Sequence, residues 1–170
     1  MKRINLLVLL LVCTPMLFAG NINDLFEKWK KDYQKSELVK WEEKEATERE
    51  NAEIREESGI ADLSVKKGEG FESSSAEVAK VIRADMANLK IDQPFTPIFN
   101  QKLPDNTLIT IVGHKGSKNW DKAYIVVVDK NNKSTVFRVE GSLSDASYKE
   151  HIESTVAMIN QMAAMMSMMK

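Results

Sequence analysis

Residues 108–140 read LITIVGHKGSKNWDKAYIVVVDKNNKSTVFRVE, and this stretch sets the fold class. Leu108 to Val112 predicts one strand, and Gly113 to Asp121 a polar connection. Lys122 to Asp129 predicts a second strand, Lys130-Asn131-Asn132-Lys133 a tight turn, and Thr135 to Glu140 a third strand. Ile125-Val126-Val127-Val128 is continuously apolar, as a central strand covered on both faces should be. The third strand alternates, with Phe137 and Val139 pointing one way and Val136, Arg138 and Glu140 the other. Such a pattern places it nearer an edge, with one face partly wet.

Helical signals flank this antiparallel meander. Upstream, Ser74-Ser75-Ala76-Glu77 fits a capping box, and Val78, Val81, Ile82, Met86 and Leu89 form one apolar face behind it. Pro94 and Pro97 bracket Phe95, with Ile98 and Phe99 just beyond, which excludes a helix interior or a central strand. The spacing predicts an ordered loop or cover strap, its phenylalanines packed on the core or forming a binding lip. Downstream, Ser144 or Ser142 can cap a last helix. Its Tyr148, Ile152, Val156, Ile159, Met162, Met166 and Met169 recur at steps of three or four, a seam suited to lie across the sheet. Together these elements predict an α+β fold, with an antiparallel sheet of three to five strands packed by helices.

Further upstream, residues 21–58 form a charged segment that predicts helix. Asn21 or Asn23 can cap, and Ile22, Leu25, Phe26, Trp29 and Tyr33 make an apolar stripe. Leu38, Val39 and Trp41 fall out of phase, so the helix breaks near Ser36 or a short strand intervenes. From Glu42 to Glu57 eight glutamates face only Lys44, Arg49 and Arg55, as in a solvated helix or a flexible acidic arm. Ile60 to Val65 alternates weakly and predicts a strand ended by Lys66-Lys67-Gly68-Glu69-Gly70.

The start of the chain carries an address. Lys2 and Arg3 precede an apolar run from Ile4 to Val12, and Leu17-Phe18-Ala19-Gly20 offers small residues for cleavage. The run is far shorter than the roughly 20 residues a bilayer span needs, so residues 1–20 read as a cleaved secretory signal. The protein is then periplasmic or secreted, cut near Ala19 or Gly20. Cys13, the only cysteine, sits behind Val12 rather than a small residue, which disfavours lipidation. Cleavage removes it, and with it any disulfide, Cys–zinc site or thiol nucleophile. Loss of Lys2 and Arg3 takes the formal charge from −1 to −3, which argues against a nucleic-acid partner. Residues 59–170 form the expected α+β domain, and no second apolar run is long enough to span a membrane.

Candidate chemistry is sparse. His114 and His151 are the only histidines and lack metal-ligand spacing, so no metal or cofactor is expected. Gly113-His114-Lys115-Gly116 lacks phosphate-loop spacing and reads as a turn. No GxSxG elbow is present, and a hydrolase site would have to unite a histidine, a serine and a carboxylate in three dimensions. Six of the nine methionines lie between Met158 and Met169. Thioethers ligate copper(I), but they also fill irregular apolar contacts. Met162, Met166 and Met169 belong to the seam; Met165 and Met168 lie off it and suit a partner surface. Trp120 stands in a lysine-rich connection, either folded over the sheet edge or presented to a partner or glycan.

The signal, the Leu25-Phe26-Glu27-Lys28-Trp29 helix and the meander over about residues 105–143 resemble small secreted bacterial domains of unknown function. The likeness implies an exported α+β domain and brings no catalytic residues with it. The glutamate-rich stretch 42–57 departs from that pattern. The expected role is a non-enzymatic module binding a protein or a cell-envelope component, with Trp120, Phe95, Phe99, Met165 and Met168 as contact residues. The alternatives are a small periplasmic hydrolase and a methionine-rich copper(I) binder.

Overall fold

The computed structural model describes residues 20–153 and Val156. Strands β1 (Lys40–Glu45), β2 (Ser64–Ser73), β3 (Phe95–Lys102), β4 (Leu108–Lys115), β5 (Asn119–Val128) and β6 (Ser134–Ser144) form one six-stranded sheet. Every pairing is antiparallel, in the spatial order β1-β2-β6-β5-β4-β3. Helices α1 (Ile22–Tyr33), α2 (Glu48–Ser58) and α3 (Ala76–Ala87) accompany it. A short helix, Asp145–Ser147, runs into a π-helical turn at Tyr148–Glu153. The chain is thus the α+β fold that the patterning predicts. The signal segment and the methionine-rich end lie outside the described residues.

The meander from β3 to β6 is sequential. Strands β2 and β1 then extend the sheet beyond β6, and α3 carries the chain from β2 to the far edge. Helices α1 and α3 cover one face. Ile22, Leu25, Phe26 and Trp29 of α1 and Val78, Ala79 and Ile82 of α3 are buried against Phe71, Val112, Tyr124, Val126, Val128 and Val136. Asn21 caps α1 in a reciprocal box with Asp24. The Trp29 indole N–H and the Lys28 ammonium both donate to Asp85 at 2.8 Å, which clamps α1 to α3. The Tyr124 hydroxyl donates to Asn23 at 2.8 Å.

Several sequence expectations are corrected. The 94–99 strap is an edge strand, because Pro97 costs no ladder bond when its missing N–H would face solvent. Strand β2 does not end at Lys66 but runs on to Ser73, with a bulge between Val65 and Lys67. Its Gly70 reflects close approach: a Cβ there would lie 2.0 Å from the Val136 carbonyl oxygen. Strand β6 lies between β5 and β2, not near an edge. Segment 21–58 is two helices with an edge strand between them, as the break near Ser36 allowed, and that strand takes Glu42–Glu45 out of the expected solvated helix. Charges on such a strand blunt an otherwise exposed ladder. The α3 cap is Ser75, whose hydroxyl accepts from Val78 N–H, rather than a Ser74–Glu77 box. Helix α2 is held by buried Asn51, whose amide bonds both the N–H and the C=O of Val65.

A buried ion pair between β2 and β6 explains why β6 reads as partly wet although it lies inside the sheet. Glu69 is 1% exposed, and its carboxylate accepts from Arg138 and, at 2.7 Å, from Lys30. Arg138 also donates to Glu27 at 2.5 Å and lies over the Phe26 ring, 4.6 Å from its centroid. Burial pushes the Glu69 carboxyl upward, but the Lys30 hydrogen bond and the Arg138 charge outweigh it and hold the group below the usual carboxylate range.

Removing one partner of this buried set leaves an uncompensated charge, so Arg138→Ala should cost about 3–5 kcal/mol in urea unfolding at pH 7. Because the folded pKa of Glu69 is depressed, its contribution is complete above the ordinary carboxylate pKa and disappears as pH falls through the folded value. The melting temperature should therefore fall on acidification below that range, and with a shallower slope in Glu69→Gln. Equal acid slopes in the two proteins would contradict this assignment.

Candidate functional site

The second face of the sheet carries the candidate site. Alternation on β4, β5 and β6 sends Thr110, Val112, Tyr124, Val126, Val136 and Arg138 toward the helices. It therefore sends Ile109, Ile111, Ala123 and Val139 the other way, where they floor an apolar groove of about 560 Å³. Leu63 and Val65 wall one side, and Ile98 and Phe99 the other. A bulge in β3 between Pro97 and Phe99 leaves Ile98 unpaired and sets Phe99 opposite Ile111.

Trp120 closes one end of the groove. It belongs to β5 rather than to a loop, because β4 extends to Lys115 and the connection is a tight turn with Gly116 N–H donating to the Asn119 carbonyl. Only 9% of Trp120 is exposed. Its ring stacks on Tyr148 with centroids 4.0 Å apart and planes 24° apart, and its indole N–H donates to Asp145 at 3.3 Å. Lys115 bridges to Asp145 at 2.7 Å and lies 5.9 Å from the Trp120 ring centroid. Gly113 is required beneath this indole, since a Cβ there would come within 2.7 Å of the ring.

A polar clasp fixes the start of the last helix at the same end. The Ser144 hydroxyl caps it by accepting from Ser147 N–H at 3.2 Å, and the Ser144 N–H donates to Asp62 at 3.2 Å. Hydrogen bonds from Ser144 and Ser147 hold the Asp62 carboxyl below its ordinary range, and the Lys115 hydrogen bond does the same for Asp145. Beyond the clasp, Ile152 and Val156 also line the groove.

Of the expected contact residues, the structure brings Trp120 and Phe99 into one groove. Phe95 sits on the other side of β3, its ring against His114 at 5.1 Å and Tyr124 at 6.0 Å. Met165 and Met168 lie outside the described residues. The floor of Ile109, Ile111 and Val139 went unremarked as a site in the sequence, although the alternation of β4 and β6 carries that signal. Tyr148 was legible only as a seam residue.

The hydrolase alternative requires His114 or His151 beside a serine and a carboxylate, and a close acid partner is found at His114. Its Nδ1 lies 2.5 Å from the Asp121 carboxylate, a base and an orienting acid, with Phe95 on the ring. Among the described residues no serine hydroxyl joins this pair. Nor do three His, Cys, Asp or Glu side chains converge there on a possible metal position. No described helix is long and apolar enough to cross a membrane. Comparison of the chain with protein-family models, curated proteins and solved structures gave no match.

The contact between Gly113 and the indole gives a direct check. Gly113→Ala should displace Trp120 from Tyr148, alter the near-ultraviolet circular dichroism and lower stability by about 1–3 kcal/mol. An unchanged aromatic spectrum would mean that the indole does not need this glycine.

Proposed function

We propose that this chain is an exported, non-enzymatic binding module whose working surface is the groove on the second sheet face. The observation that supports this reading is the groove itself. It is concave, and apolar along its floor and walls. Apolar hollows with a few polar groups at the rim are where proteins take ligands or the apolar face of a partner segment. The partner is a protein or cell-envelope component that presents such a segment. Export follows from the reading of residues 1–20 as a cleaved secretory signal.

Two measurements test this reading. The exported protein, purified from the periplasm or medium, should begin near Gly20 or Asn21; recovery from the cytoplasm with Met1 retained would refute export. As immobilised bait, it should retain an envelope component that is lost with Ile111→Asp in the groove floor and kept with Lys133→Glu in the turn between β5 and β6. Equal retention by both variants would place the binding elsewhere.

A further inference from the structure

We propose that the groove has a resident occupant, the chain's own residues 157–170, which a partner must displace. This rests on the reading of the groove as the binding face and adds how that face is regulated. The first ground is where the described chain ends. From the clasp at Ser144, Tyr148 stacks on Trp120, and Ile152 and Val156 line the groove in turn. The chain therefore reaches residue 156 already seated on the apolar surface.

The second ground is the pattern that continues. Tyr148, Ile152 and Val156 are the first three members of a seam that goes on with Ile159, Met162, Met166 and Met169. At helical spacing, those residues fall on the line that the first three have placed in the groove. Residues 157–169 carry no charged side chain, so their burial strands no ion. The length also fits. The thirteen residue steps from Val156 to Met169 would rise about 20 Å as a helix. From β6 across β5 and β4 to β3 is three strand spacings, about 14 Å.

Chemistry supports exchange as well as cover. Methionine side chains are flexible and polarizable, match irregular apolar walls and make sulfur contacts at aromatic edges such as Phe99 and Trp120. A tethered segment competes at an effective concentration of order millimolar, so it weakens a partner's apparent affinity by the factor by which it occupies the groove.

The test uses the chain from Gly20 to Lys170 and reads methionine oxidation by dilute peroxide, resolved by mass spectrometry. Met162 and Met166, on the seam, should oxidise about tenfold slower than Met165 and Met168, which corresponds to about 1.4 kcal/mol of preference for the seated state. Ile111→Asp should abolish the contrast. In parallel, a chain ending at Val156 should bind anilinonaphthalene sulfonate several-fold more brightly than the intact chain. If the shortened chain loses its far-ultraviolet dichroism, the oxidation contrast in the intact chain decides alone. Equal oxidation rates, with the dye bound equally by intact and shortened chains, would overturn self-occupancy and leave the groove reading standing. Equal rates with no dye bound by either would overturn both. Protection that appears only after copper(I) is added would also overturn the proposal, in favour of a metal role.

Discussion

The constraint on which this fold depends is a central strand that is apolar on both faces. Ile125-Val126-Val127-Val128 offers side chains alternately up and down, so the sheet around β5 has to be covered twice. Helices α1 and α3 cover one face, where Tyr124, Val126 and Val128 are each 1% exposed or less. On the other face the same alternation leaves Ile109, Ile111, Ala123 and Val139 as the floor of a groove. The asymmetry between the face that α1 and α3 close and the face that carries the groove turns a folding requirement into a candidate function.

The closed face is specified by directional bonds as well as by packing. Trp29 and Lys28 meet Asp85, Tyr124 meets Asn23, and Arg138 is shared between Glu27 and Glu69 under the Phe26 ring. Each bond joins two different elements, so the set fixes the helix positions on the sheet, at the desolvation cost that buried charges carry. The Glu69–Arg138 pair joins β2 to β6 and so ties the outer strands to the meander.

Much of this was legible because period and composition agreed. The β5 run, the 130–133 turn with Asn132 at φ 66°, the Asn21 cap and the break near Ser36 all express local chemistry. The misreadings have one common source, which is that pairing partners are not local. Lys66 to Gly70 looked like a strand terminator because its lysines and glycines suit a turn, yet β6 needs a glycine at 70 for its own backbone to approach. Pro94 and Pro97 ruled out a central strand and so suggested a loop or strap, whereas β3 is a strand that tolerates Pro97 at the sheet edge. The Arg138 face looked partly wet because the ion pair with Glu69 that lets both be buried spans 69 residues of sequence. For the candidate site, the floor was encoded in the alternation of β4 and β6, but a concave surface arises only once β2 and β3 are placed on either side of them.

The two faces also differ in what fixes their cover. On the groove face, the polar restraints given by the described residues gather at one end, where Asp62 holds Ser144 and Asp145 holds Trp120 and Lys115. Past that clasp the lining is apolar, and apolar contact is non-directional, so it favours coverage without naming the covering group. A sequence that needed a permanent lid there would do well to use residues with well-defined rotamers and a buried polar partner, as α1 does with Trp29 and Asp85. The sequence that follows Val156 instead supplies methionine six times in twelve residues, the apolar side chain least committed to a single shape. Strong pinning at one end and soft chemistry beyond it are the arrangement that an exchangeable cover requires. On the proposed reading, the tether would keep the cover local, and the thioethers would let another apolar segment take its place without stranding a charge.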